Sequence, residues 1–332
     1  MKINLYDFDG TIYNGDSSID FYKFCFKKKK SICKYWIKIG WCLFLYVLGI
    51  KTKTETKQVF FCFLKNFDNI DELVEEFWKI NFCKIKKWYL KKNHNNDIII
   101  SASPEFLLKT PCKKLKVFDL IASNVSKKNG KFLSENCYGL KKVDYLNSKY
   151  PDIQVIEMYT DSLSDKPLLD LSINGYIVDN EKIVNYKDYN LSFKKKIKKT
   201  FFDPQFIRFL IVGGINVING VLFAYLYSLI INNAIMAFIV GYMTSLIVSY
   251  LLNSFITFKD FKLKFLKFIK FCVSYIPNFL IQLMFVFIFV KILGLYKLIA
   301  YIFSAIIGVP ITYLILLLFT FRKEKDYAKK NY

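Results

Sequence analysis

Asp7-Phe8-Asp9-Gly10-Thr11 sets two carboxylates two residues apart, directly after the short segment Lys2–Tyr6. That segment alternates in polarity and is predicted to be a strand. On a strand, residues i and i+2 share a face, so Asp7 and Asp9 point the same way. Such a pair can bind a divalent cation, and one member can act as a carboxylate nucleophile. Gly10 allows a tight turn that brings backbone N–H groups toward an anion. Asp-Gly is also a common turn pair, so the motif does not decide the matter by itself.

The elements that could position such a pair recur along the chain. Asp97–Ser101 is a β-branched run ending in a hydroxyl. A helix is predicted to begin near Ser103, with Pro104 at its first position. A hydroxyl at a strand end, with helix N–H groups behind it, forms an anion site; Ser101 or Ser103 could equally be a helix cap. Val117–Val125 is predicted to be a strand, residues 130–139 a hairpin end, and Leu140–Leu146 the start of a helix. Lys141 and Lys142 on that helix can meet a phosphate or lie on a solvated face. Gln154–Thr160 is predicted to be a strand, followed by Asp161 and Asp165. Two aspartates four apart suit a metal ligand and a carboxylate that supports it. Ile173–Val178 is a last short strand. Polar groups at the C-terminal ends of strands near residues 7, 101 and 160 match the ligand edge of an open α/β sheet.

Composition narrows the chemistry. The single histidine, His94, sits in Lys91–Asn96 and is expected in a solvated loop. Paired-histidine metal sites are therefore excluded, and carboxylates and lysines must carry any reaction. The eight cysteines contain no C-x-x-C, which argues against a zinc site or disulfide framework and fits a reducing cytoplasm. No apolar segment of signal-peptide type opens the sequence. The net charge is +22, yet arginine occurs only at Arg208 and Arg322. Nucleic-acid readers favour arginine for bidentate contacts. The expected electrostatic partner is thus an anionic membrane surface, with no nucleic acid.

The residues between the first two motifs are predicted to be helical and apolar-faced. Ile39–Ile50 is an apolar run of about twelve residues, short of the roughly 20 that span a bilayer. A single crossing there would also separate Asp7 from the later motifs. The run is expected to pack in a cap or lie on the membrane surface with its lysines toward phosphates. After the basic segment Lys194–Lys199 come four stretches long enough to span, near 206–230, 234–257, 267–290 and 298–320. Lysines at 194–199 and 259–270, and Arg322 with the lysines after it, flank one side. The opposite turns carry only Lys291 and Lys297. By the positive-inside rule both termini are cytoplasmic. Asn216, Asn219, Asn253 and Gln282 lie within the spans, as path-lining groups or as helix–helix contacts.

Together these motifs resemble the haloacid dehalogenase (HAD) superfamily. Asp7–Thr11 resembles its first motif, Ile99-Ile100-Ser101 its second and Asp161–Asp165 its fourth. Cys137–Val143 is similar to the third-motif region of the phosphoserine-phosphatase-like branch, subfamily IB. The resemblance covers about residues 1–180. It implies a doubly wound, Rossmann-like α/β core within 1–195 and a helical type-1 cap over about 14–95. Asp7 would be the nucleophile forming an aspartyl-phosphate, and Asp9 the acid and base. Gly10, Thr11, Ser101 and Lys142 would bind phosphate, with Lys141 the alternative lysine. Asp7, the Asp9 carbonyl, Asp161 and, in support, Asp165 would hold Mg²⁺. Thr160 stands where the family often has glycine. The greasy, lysine-flanked cap resembles lipid-directed members such as phosphatidylglycerophosphatase C.

Phe206–Asn216 and Ser249–Phe258 resemble the GtrA family, over about residues 204–322, implying an all-α four-helix transmembrane domain. Asn253-Ser254 stands where that family usually has Asn-Arg. The family is implicated in moving polyprenyl-phosphate-linked sugars for polysaccharide assembly. The combined expectation is a phosphomonoesterase at the inner membrane acting on a lipid or polyprenyl-linked phosphate. Its alternatives are a lipid-linked sugar translocase with a regulatory HAD half, and a membrane-anchored phosphatase of soluble metabolites.

Overall fold

Lys2–Tyr6 forms β1, and the other strands assemble around it. The computed structural model describes residues 1–189 apart from Asn93, together with Ile197 and residues 200–321. The lysine run before Thr200 and the basic segment after Phe321 lie outside the described residues. The chain divides into two units, Met1–Leu191 and Ser192–Tyr332.

The first unit holds a six-stranded sheet in the order β3-β2-β1-β4-β5-β6. Its further strands are β2 (Asp97–Pro104), β3 (Asp119–Ser123), β4 (Gln154–Thr160), β5 (Asn174–Asp179) and β6 (Lys182–Asn185). The first five are parallel, and β6 closes the edge antiparallel to β5. Alternation along β1 and β2 sorts the core into two layers. Ile3, Leu5, Ile98 and Ile100 face one cluster, while Tyr6 and Ile99 face the other. Helices cover both faces, which is the doubly wound arrangement.

Between β1 and β2 the chain is helical: α1 (Ser17–Lys28), α2 (Trp36–Leu48), α3 (Lys53–Phe60), α4 (Ile70–Asn81) and α5 (Lys87–Leu90), joined by short 3₁₀ turns. Asp16 caps α1 through the Ile19 amide. Thr52 and Glu55 form a capping box on α3. Gly49, with φ of 77°, ends α2 in the left-handed conformation that glycine adopts without strain. Phe21, Phe61, Phe63, Phe77 and Trp78 bury the inner faces, and the Trp78 indole donates to the Leu107 carbonyl at 2.6 Å. After the second strand come α6 (Glu105–Leu115), α7 (Leu140–Lys149) and α8 (Lys166–Leu171).

Residues 30–48 are helical, long and apolar enough to cross a membrane by length and composition. They cannot cross it once. β1 precedes them, β2 follows them, and the two pair in one sheet with Tyr6 opposite Ile99. The stretch is a cap helix with an exposed outer face.

Five details differ from the sequence expectation. The α6 helix begins at Glu105, with Pro104 as its cap rather than its first residue. A register shift between Ser101 and Pro104 carries β2 on to pair Pro104 with Ser123. The expected hairpin at 130–139 is reduced to one bridge, Val125 to Phe132. Strand β6 was not anticipated, because Lys182–Asn185 is short and only half apolar. His94 is buried rather than solvated: its Nδ1 lies 3.0 Å from Asp97 Oδ2 and its ring stacks on Tyr89.

The second unit is four apolar helices: α9 (Pro204–Ser228), α10 (Ala234–Leu252), α11 (Phe265–Phe287) and α12 (Lys297–Ile315). The last three each end in a π-helical turn. Phe209, Tyr250, Phe271, Tyr313 and Phe321 form its aromatic core. Many other apolar side chains, Val217 and Leu283 among them, are exposed, as lipid-facing residues must be. Asn216 and Asn253 both reach Ser249, the first by its hydroxyl and the second by its carbonyl, so these amides tie helices and turns together.

Candidate active site

Because β1, β2 and β4 are parallel neighbours, their C-terminal ends converge. A cavity of about 670 Å³ opens there, lined by Asp7, Asp9, Ser101, Lys142, Asp161 and Asp165. The structure thus brings together six of the eight site residues expected from sequence.

Lys142 is the cation at its centre. Burying Lys142 and Leu146 one helical turn apart turns this face of α7 inward. The Lys142 Nζ lies 2.8 Å from Asp7 Oδ1 and 2.7 Å from Asp165 Oδ2. Lys141 points outward to Glu135 and Asp144, so Lys142 is the inward lysine of the two. Thr160 adds a hydroxyl that donates to Asp165 Oδ2 at 3.1 Å. The residue that departs from the family pattern therefore helps to hold Asp165.

Asp9 is held on both oxygens. The Ser17 amide donates to Oδ1 at 2.6 Å and the Ser103 hydroxyl to Oδ2 at 2.5 Å. The Ser103 amide in turn donates to Ser101 Oγ at 3.1 Å. From sequence, Ser103 reads as a helix start or cap. Its role depends on the register shift in β2, which no local pattern announces.

Gly10 and Thr11 do not line the cavity. The Gly10 amide donates to the Gly15 carbonyl at 2.9 Å, which closes the loop after β1. Gly10 has φ of 75°, and a Cβ there would collide with the Asp161 carboxylate. Glycine at this position therefore admits Asp161 to the site. Thr11 is fully buried, and its Oγ1 has no hydrogen-bond partner. Lys86 pins the same loop, donating to the Gly10 carbonyl at 2.5 Å and the Asn180 carbonyl at 2.8 Å.

Burial dominates the electrostatics. It pushes the Asp7 carboxyl up to about 7; Lys142 opposes this, and Asp165 and Asp161 reinforce it. Burial likewise pushes Asp161 up to about 6, with Asp165 adding to the effect. Asp9 is raised by burial and then by Asp16, against the hydrogen bonds from Ser103 and Ser17. The pull of Asp7 and Asp165 outweighs burial at Lys142 and keeps it charged. One lysine thus bridges the Asp7 and Asp165 carboxylates, with the more exposed Asp161 adding a third, and Asp165 Oδ1 is buried with no hydrogen-bond partner. Such a site is short of positive charge, and its donors are hard oxygens, the type that suits Mg²⁺. Among the described residues no three acidic, histidine or cysteine side chains form a ready metal cage. A cation here would draw on main-chain and water oxygens as well, as magnesium commonly does.

The cap supplies groups that sequence reasoning did not single out. Lys53 and Lys57, one turn apart on α3, line the cavity with Ile39 and Leu43 of α2. Lys57 Nζ donates to the Ala102 carbonyl at 3.0 Å, and burial brings its pKa down to about 8. Lys53 Nζ sits 3.4 Å above the Tyr138 ring. The signal for these two was the i, i+4 lysine spacing ahead of an aromatic run, which many solvated helices share.

The family model for haloacid dehalogenase-like hydrolases matches residues 5–170, half of the sequence, and the chain belongs to that family. A second model, the GtrA/DPMS transmembrane domain, matches residues 208–321. The chain is thus a haloacid dehalogenase-like hydrolase domain joined to a GtrA/DPMS-type transmembrane domain. Solved structures align with about half of the chain. A protein of unknown function from Bordetella pertussis Tohama I is 17% identical over 51% of this chain and 86% of its own, with a TM-score of 0.45. A phosphoserine phosphohydrolase-like protein from Francisella tularensis subsp. tularensis SCHU S4 is 17% identical over 53% and 86%, with a TM-score of 0.36. A probable phosphoserine phosphatase from Vibrio cholerae is 12% identical over 52% and 55%, with a TM-score of 0.38. A comparison with curated proteins finds no match.

Proposed function

We propose that this protein hydrolyses a phosphomonoester on a lipid or polyprenyl carrier at the cytoplasmic leaflet of the inner membrane, through an aspartyl-phosphate on Asp7. With Lys142 on its Oδ1, Asp7 keeps Oδ2 for attack on phosphorus as the ester P–O bond breaks. Asp9, whose pKa is raised, gives its proton to the leaving alkoxide oxygen. It then takes a proton from water, whose oxygen attacks the phosphorus and frees Asp7. Lys142 and the Ser101 hydroxyl hold phosphoryl oxygens in place. Asp7, Asp161 and the Asp9 carbonyl would hold Mg²⁺, with Asp165 in support; the ion, when bound, supplies the charge neutralisation that phosphoryl transfer needs.

The observation that carries the lipid reading is the position of α2. Its Ile39 and Leu43 line the active-site cavity, while Trp36, Ile37 and Trp41 on the same helix are 53%, 86% and 62% exposed. An apolar surface therefore runs from solvent into the site. Lys27–Lys30 and Lys34 precede α2 in the sequence and Lys38 lies on it, and each lysine near an anionic surface contributes roughly 1 kcal/mol. This supports a lipid surface as partner rather than nucleic acid. The match of residues 208–321 supports a second, coupled role in moving lipid-linked sugars for polysaccharide synthesis.

The test compares two substrates on the full chain in anionic liposomes: a lipid phosphate and a small soluble phosphomonoester, each with and without Mg²⁺. Changing Lys27–Lys30 to Gln together with Trp41→Ser is expected to lower lipid turnover by about tenfold and to leave the soluble ester unchanged. An equal fall for both substrates, or faster turnover of the soluble ester throughout, overturns the lipid reading.

A further inference from the structure

The active-site cavity holds two lysines that the chain itself does not neutralise. Lys142 is committed to Asp7 and Asp165, at 2.8 and 2.7 Å. Lys53 and Lys57, one turn apart on α3, line the same cavity from the cap. Among the described residues neither forms an ion pair. Lys53 Nζ rests 3.4 Å from the centre of the Tyr138 ring, and Lys57 Nζ donates to the Ala102 carbonyl at 3.0 Å. Asp16 and Asp9 attract Lys57, but burial and the neighbouring Lys53 outweigh them.

Nothing in the helix itself favours these two residues. Lys53 is the first residue of α3, where the helix dipole disfavours a cation. A second lysine four residues on adds like-charge repulsion. Glu55, the acid of that turn, is engaged in the capping box with Thr52. Positions that break local rules with no gain inside the chain are expected at functional sites.

Their placement says what they would meet. Ala102 stands between Ser101 and Ser103, where β2 shifts register, and its carbonyl also accepts from the Ser123 hydroxyl at 3.1 Å. The Lys57 ammonium is thereby fixed beside Ser101, with two N–H groups still to donate. Helix α2 packs along α3, with Cys42 Sγ 3.9 Å from Thr56 Oγ1, and brings Ile39 and Leu43 to the cavity. The lining thus combines carboxylates and Lys142 at the sheet edge, two cap cations beside them, and an apolar wall.

We infer that Lys53 and Lys57 form a second anion subsite, which takes a further phosphate-type group of the substrate, joined to the cleaved phosphate by a short linker or bonded to it directly. A neutral head would leave both ammonium groups without a counter-charge in a partly dry cavity. This rests on the phosphatase reading for the identity of the cleaved group and narrows its substrate to a molecule carrying two such anions.

The test titrates the full chain, in neutral detergent micelles at a fixed free Mg²⁺ concentration, with propylphosphonate, propane-1,3-diphosphonate and methylenediphosphonate, read by calorimetry. One of the two diphosphonates is expected to bind about tenfold tighter than the monophosphonate; which one does so separates the linked from the directly bonded arrangement. Lys53→Gln and Lys57→Gln should each lower that ratio, and together bring it close to one. Lys65→Gln removes a cap lysine that does not line the cavity and should keep the wild-type ratio. Equal binding of all three probes by wild type, equal weakening of mono- and diphosphonate in Lys53→Gln or Lys57→Gln, or the same loss of preference in Lys65→Gln would overturn the inference. Phosphate release from propane-1,3-diol bisphosphate and from propyl phosphate is followed in parallel. A binding preference without release would uphold the subsite and reject the phosphatase reading, whereas release without a preference would do the reverse.

Discussion

Lys142 Nζ lies 2.8 Å from Asp7 Oδ1, although 135 residues separate the two in the chain. The pair is buried, and the same ammonium is shared with Asp165. Removing the lysine leaves two carboxylates buried without a cation, a change that costs about 3–5 kcal/mol in comparable sites. Lys142→Met is therefore expected to lower phosphate release by about a hundredfold and to reduce the denaturant midpoint. Lys141→Gln, on the exposed side of the helix, should change neither. Comparable loss in both variants, measured by phosphate release and urea denaturation, would reject Lys142 as the site cation.

Asp7→Asn is expected to abolish phosphate release with the fold intact, since the amide cannot form the acyl-phosphate. Beryllofluoride should bind wild type and not the variant. Retention of more than about one per cent of activity in a pure Asp7→Asn preparation would contradict a nucleophilic role.

The raised pKa values of Asp7 and Asp161 carry a sign. Both groups sit above their ordinary value of 3.8, at about 7 and about 6. A raised carboxyl favours the folded state while it is protonated, so its contribution is complete below pH 3.8 and is lost as pH rises through 6 to 7. The metal-free protein should thus lose stability across that window. Mg²⁺ binds the ionised groups, so thermal stabilisation by Mg²⁺ over EDTA should be larger at pH 8 than at pH 5. A stabilisation independent of pH would exclude these carboxylates as the binding set.

Topology is tested by cysteine labelling in right-side-out and inverted vesicles. Single cysteines placed after residues 50, 195 and 260, and at the C-terminus, in a background without native cysteines should all react from the cytoplasmic side. The pairing of β1 with β2 makes the first of these a strong expectation, because residues 30–48 lie between them. Labelling at 195 from the outside would reverse the proposed orientation.

Much of the site was legible in the sequence, because three of its four motifs are short strands followed directly by polar groups. A run of β-branched residues ending at Ser101, or Asp161 after Gln154–Thr160, signals its structure through the neighbouring residues alone. Parallel pairing then gathers those strand ends at one edge. The membrane helices were legible for a similar reason, since about twenty apolar residues in a row have few other fates. The tertiary structure decided what depends on distant contacts. Which of Lys141 and Lys142 turns inward depends on the face that α7 buries. The hydrogen bond from Ser103 to Asp9 depends on a register shift in β2 against β3. The burial of His94 depends on Asp97 and Tyr89, since the polar residues around it suggest only a loop. Local sequence sets the period and the ends of each element; where a side chain finds its partner is set by the packing of elements far apart in the chain.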